Sequence, residues 1–153
     1  MKRILIAVAF LIVGMSYLSH AQDNNKSLAT ANWATLAKVT YKVGKDEYGE
    51  LSIPVFGDEI QKLAGKEIEL PGYIIPFDGM FKPDHIILSS LPVAACFFCG
   101  SGGPESVIEI YLKEPIKYTA NGIKVRGKLE LNETDYNQLM YILKDAVMVG
   151  PAN

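Results

Sequence analysis

Cys96 and Cys99 are the only cysteines in the chain, set two residues apart in the run AACFFCGSGGPES. Thiols at that spacing can close a short disulfide, hold a soft metal ion or exchange electrons as a dithiol. A redox dithiol of the thioredoxin kind places its first cysteine at a helix N-terminus, where the dipole and free amides lower the thiol pKa. Here Gly100-Ser101-Gly102-Gly103-Pro104 follows, which starts no helix within a turn. No Lys or Arg stands between Lys82 and Lys113 to stabilise a thiolate. A metal site uses the run better. Two cysteines followed by glycine make the turn of a zinc knuckle, because glycine adopts the dihedrals that aim backbone amides at the sulfurs. One knuckle supplies two ligands and a closed zinc site wants four. Candidates for the others are His85, Asp84 and Glu105, or the cysteine pair of a second chain in a homodimer. The disulfide also stays open, and its loop is too short to add much global stability.

The remaining side chains suggest no reaction. The sequence contains no recognisable Ser/His/Asp set, phosphate-binding loop or paired-carboxylate cleft, and we read it as a non-enzyme. Phe97 and Phe98 either anchor the cysteine loop on the body of the protein or, if exposed, form a docking patch for a partner.

The beginning of the chain indicates the compartment. Met1-Lys2-Arg3 is basic, residues 4–18 are apolar, and Ser19-His20-Ala21 gives a small-x-small boundary. That is the pattern of a secretory signal peptide over residues 1–21, too short in its apolar part for a membrane span. The sequence thus predicts an exported, periplasmic protein, where disulfides persist. Removing Lys2 and Arg3 makes the formal net charge of −2 more negative, which argues against a nucleic-acid partner. His20 leaves with the leader, so His85 is the one histidine of the mature chain. Residues 22–31 read as a flexible polar lead-in, and residues 32–153 as one domain.

Within that domain the hydrophobic period is mostly two. The run KEIELPGYIIPF puts Ile68, Leu70 and Ile74 on one face and Glu67 and Glu69 on the other. IKVRGKLEL does the same with Ile123, Val125, Leu129 and Leu131, and Ile108 and Ile110 alternate with Glu109. His85 opens another strand. Short helices are predicted near Trp33, which we read as a core plug, and within residues 54–63, with Asp58 as N-cap. Asn121-Gly122 predicts a hairpin between the strands on either side of it, and residues 136–149 predict a helix running into a closing strand. Gly72 and Gly127 fall at inward positions, where glycine lets a strand coil around a narrow core. The expected fold is mostly β, a small five-stranded OB-like barrel with one or two short helices. Ile68, Leu70, Ile74, Ile108, Ile110, Val125 and Leu129 should share its core.

From Trp33 onward the chain resembles a family of exported bacterial proteins of unknown function. That family pairs a GK-x-V-x-I-x-GY-x-x-P strand with a GAC-x-H-x-PPPP-x-NQ-x-V loop. The first reads here as LAGKEIELPGYIIPF and the second as AACFFCGSGGPESVIEI. Cys96 falls on the family cysteine and Phe98 on its histidine, with Cys99 one place later and Pro104 alone left of the proline run. Relatives stand beside ABC-type transport systems, some of them zinc-responsive. The resemblance therefore implies an accessory role in metal homeostasis, with a membrane transporter or another exported protein as partner. The sequence reading is a soft-metal site, zinc by preference, at Cys96, Cys99, His85 and Glu105. The alternatives are an adaptor with a structural disulfide and a periplasmic dithiol oxidoreductase.

Overall fold

The computed structural model describes residues 28–47, 49–76, 84–98, 100 and 102–152. The signal peptide expected over residues 1–21, Cys99 and residues 77–83 lie outside them. Helix α1 (Ala31–Leu36) leads into a two-stranded antiparallel ribbon of β1 (Thr40–Asp46) and β2 (Gly49–Val55), then helix α2 (Asp58–Gln61). Five strands follow: β3 (Glu67–Ile75), β4 (His85–Ser89), β5 (Val107–Leu112), β6 (Ile123–Leu131) and β7 (Tyr141–Pro151). They close into a barrel in the order β3-β4-β5-β7-β6, with β6 returning to β3. All neighbours are antiparallel except β5 and β7. The fold is the OB-like barrel expected from the alternating strands.

Alternation in sequence becomes an inside and an outside in the barrel. All seven expected core residues are buried in one cluster, joined by Leu88, Ile123, Tyr141 and Leu143. Trp33 is 4 % exposed and donates its indole N–H to Pro71 O at 2.7 Å, which docks α1 on the barrel. Gly72 is the last β3 residue paired with β6, and Tyr73 the first paired with β4. Pro71-Gly72 therefore marks the corner where β3 changes partners. At Gly127 a Cβ would lie 2.8 Å from Lys144 O and 2.9 Å from Ala146 Cβ. The β6–β7 register slips at this point, so the close approach of the two strands requires glycine.

Three local expectations are corrected and one strand is added. Asn121-Gly122 is not a β5–β6 hairpin, because β7 inserts between those strands and pairs parallel to β5. Three inward residues, Tyr141, Leu143 and Ala146, make that insertion favourable by filling the core. Residues 136–140 form no helix. Asn132 captures this stretch instead, accepting from the Thr134 and Asp135 amides at 3.2 and 2.9 Å and donating to Asp135 O at 2.7 Å. Such side-chain bonds compete with helical ones. Asp58 is the first residue of α2 and not its cap. Gly57 is the N-cap and makes no side-chain cap bond. Finally, β2 was unforeseen, since Pro54 and the mixed polarity of its residues hide a strand that exists through pairing with β1.

Candidate functional site

The cysteine loop, residues 91–105, leaves the barrel between β4 and β5, and three serines fasten its stem. Ser90 N donates to Ser106 O at 2.9 Å, the Ser106 hydroxyl to Gly103 O at 2.6 Å, and Leu91 N to the Ser89 hydroxyl at 3.0 Å. All three serines are buried. A loop with joined ends and internal packing is an Ω-loop, a type often used for binding. Within it, Cys96 has no exposed surface. Its carbonyl accepts the Gly100 amide at 2.8 Å, while Gly102 N donates to Ala95 O at 3.1 Å. A Cβ at Gly100 would stand 2.7 Å from Ala94 O, so the glycines are what allow the loop to fold back so tightly.

Phe97 and Phe98 are partly exposed on the loop. Their rings pack edge-to-face with centroids 5.1 Å apart, and both are about two-fifths exposed, at 40 % and 39 %. The T-shaped contact is a favourable one for two rings, so the pair projects as a unit.

Glu105 ends the loop, with its carboxylate folded back over Gly103. It faces the Tyr41 hydroxyl, which also lies 3.8 Å from Met140 Sδ. Burial, and then the nearby Glu105 carboxylate, push the Tyr41 hydroxyl up to about 12. Tyr141 is pushed up in the same way, first by burial and then by Tyr41 and Glu105, and donates to Leu36 O at 2.7 Å. The ribbon, the loop and the start of β7 thus meet at one end of the barrel.

His85 lies elsewhere. It opens β4, about 13 Å of strand away from the loop stem at Ser89. Its Nε2 is 2.6 Å from Glu109 Oε1. Glu109 points outward from β5 as its alternation predicts, yet it is only 6 % exposed. It also accepts from the Tyr111 hydroxyl at 2.8 Å and the Leu139 amide at 3.0 Å, while Gln138 Nε2 donates to Tyr111 at 3.1 Å. Burial and the Glu109 carboxylate raise the Tyr111 pKa. The Tyr111 ring stacks on His85 from β4, centroids 4.3 Å apart, and takes Lys144 from β7 3.4 Å from its centroid. In OB barrels the second and third strands and the loop between the fourth and fifth form the usual ligand face. Here His85, Glu109 and Tyr111 stand on the second and third barrel strands and Gln138 on the loop between the fourth and fifth.

The structure therefore brings Cys96 and Glu105 to one loop and places His85 with Glu109 on the barrel wall. Asp84 adjoins His85, and its carbonyl accepts the Leu112 amide at 2.8 Å. Among the described residues no three His, Cys, Asp or Glu side chains form a metal-sized group. Cys99, covalently next to Gly100, is outside that set. Sequence reasoning missed Glu109, Tyr111, Gln138 and Lys144. The available signal was an acid between isoleucines in the strand after the one that His85 opens. No protein-family model, curated protein or solved structure matches the chain.

Proposed function

We propose that this protein is an exported, non-catalytic accessory domain that binds a soft metal, zinc by preference, through Cys96 and Cys99, and serves a membrane transporter or another exported protein. The observation that carries the reading is the position of Cys96, buried at a glycine-closed turn within a loop clamped by Ser90 and Ser106. A knuckle needs that compact turn, and a rigid loop lowers the entropic cost of holding a metal. Glu105 on the same loop is the third candidate donor, and a second chain's cysteine pair would complete a four-coordinate site. His85 faces Glu109 and Glu105 faces Tyr41, so either would have to leave its present partner to serve as a further donor. The resemblance to exported proteins encoded beside zinc-responsive transport systems supports this role, as does the signal-like start of the chain. A thiol with no exposed surface is a poor attacking nucleophile, which argues against dithiol exchange initiated by Cys96.

A second reading is favoured by the exposed Phe97–Phe98 pair. In it the cysteines form a disulfide that stiffens the loop, and the aromatic pair docks on a protein partner. Thiol titration and zinc content of protein purified without reductant separate the two. The metal reading predicts stoichiometric zinc that is lost in Cys96→Ser and Cys99→Ser, and lost on acidification as protons compete for the thiolates. The disulfide reading predicts no free thiols and negligible zinc uptake before reduction.

A further inference from the structure

Residues 132–140 connect β6 to β7 and run over the barrel wall between the two polar clusters described above. One end of this strap is fixed by Asn132, whose backbone amide donates to Met140 O at 2.9 Å. Near its C-terminal end it is fastened to the wall twice, by Leu139 N on Glu109 Oε2 and by the Gln138 side chain on the Tyr111 hydroxyl. The next residue, Met140, places its sulfur against the Tyr41 hydroxyl, which faces Glu105 at the end of the cysteine loop. Contacts therefore run without a gap from Glu109 through Leu139, Met140, Tyr41 and Glu105 to the loop.

We propose that residues 132–140 act as a strap that transmits the hold of Glu109 to the cysteine loop, so that releasing the strap loosens the loop and tightening the loop protects the strap. This deepens the reading of the loop as the binding site, and its consequence for metal binding rests on that reading. The two-state element is the Leu139 amide, either bonded to Glu109 or open to water. Glu109 suits the anchoring role because its carboxylate accepts from three donors at once. An amide in its place offers one acceptor oxygen and turns an N–H₂ toward donors. Coupling of this kind must be reciprocal.

Amide hydrogen exchange on the metal-free full chain tests the proposal. Glu109→Gln should speed exchange of the Leu139 amide about tenfold, the factor that corresponds to losing roughly one net hydrogen bond. It should also speed Gly100 and Gly102 in the loop severalfold, while β6 amides remain protected. Tyr41→Phe removes the hydroxyl that joins strap and loop. It should speed Gly100 and Gly102 and, because the coupling is reciprocal, speed Leu139 by a similar factor. Adding Glu109→Gln to Tyr41→Phe should then produce no further increase in the loop, which is the non-additivity of coupled sites. Should Glu109→Gln unprotect β6 as well, Gln138→Ala, which frees the strap from Tyr111 alone, replaces it with the same expected pattern. A strap that opens while Gly100 and Gly102 stay protected, or fully additive effects in the double variant, would overturn the coupling. Coupled exchange in a protein that takes up no zinc would leave the strap standing and remove the metal reading instead.

Discussion

Two regions of this small barrel carry its polar and reactive side chains, and they use them in opposite ways. On the β4–β5 wall, His85, Glu109, Tyr111, Gln138 and Lys144 satisfy one another, and Glu109 alone accepts from three donors. At the cysteine loop, backbone amides and buried serine hydroxyls do the holding. The two aromatic rings of the loop are each about two-fifths exposed. A cluster with a histidine, a buried carboxylate and a tyrosine looks more like a site than a glycine-rich loop does. Yet its groups are consumed by the fold, as a fully connected buried network must be. Satisfied polar groups are evidence of architecture, whereas apolar surface exposed on a loop is evidence of use.

The largest effect is expected at Glu109. Glu109→Ala removes the shared acceptor and leaves the Leu139 amide, the Tyr111 hydroxyl and His85 Nε2 short of a partner. The expected loss is about 3 kcal/mol, since each unsatisfied buried group costs roughly 1–3 kcal/mol and water reaches part of the cluster. Urea unfolding monitored by circular dichroism measures it. A loss below about 1 kcal/mol would mean that the wall is not architectural.

A smaller effect should appear in alkali at the other end of the barrel. The Tyr41 hydroxyl rises from its ordinary 10.0 to about 12 in the folded protein. A group whose pKa is raised by folding contributes stability that is complete below the unfolded value and is lost as pH climbs through the folded one. Stability should therefore fall between about pH 10 and about pH 12, helped by the raised Tyr141 and Tyr111. Tyr41→Phe should flatten part of that fall, as followed by tyrosinate absorbance and circular dichroism. An unchanged profile would mean that neither burial nor Glu105 holds the Tyr41 hydroxyl in its neutral form.

The smallest effect on stability is expected at the loop itself. Phe97→Ser/Phe98→Ser should change the unfolding free energy by no more than about 0.5 kcal/mol, as for exposed positions generally. A larger loss would make the aromatic pair a part of the fold.

Much of the barrel was legible in the sequence because period-two alternation reports directly which side chains face a core. Ile68, Leu70, Val125 and Leu129 could be assigned from spacing alone. Less legible were features that depend on partners distant in the chain. The insertion of β7 between β5 and β6 is fixed by which strands best fill the interior, and Asn121-Gly122 mimics a hairpin that this insertion forbids. The capture of residues 132–135 by the Asn132 side chain is a local contest that the helical spacing of neighbouring apolar residues conceals. At the candidate site the sequence singled out Cys96 and Glu105, which share a loop. It grouped His85 with them because histidine beside cysteine suggests a ligand set. The real partner of His85 is an outward carboxylate on the adjacent strand, visible only once the β4–β5 pairing is known.

The central claim is that the cysteine loop is a metal-binding site on a self-satisfied barrel. Zinc content and free thiols, measured together on wild type and Cys96→Ser/Cys99→Ser purified without reductant, test it most directly. The account predicts stoichiometric zinc in the wild type, none in the double variant, and an intact barrel in both by circular dichroism. Equal zinc in the two proteins, or a wild type with no free thiols and no zinc, would contradict it.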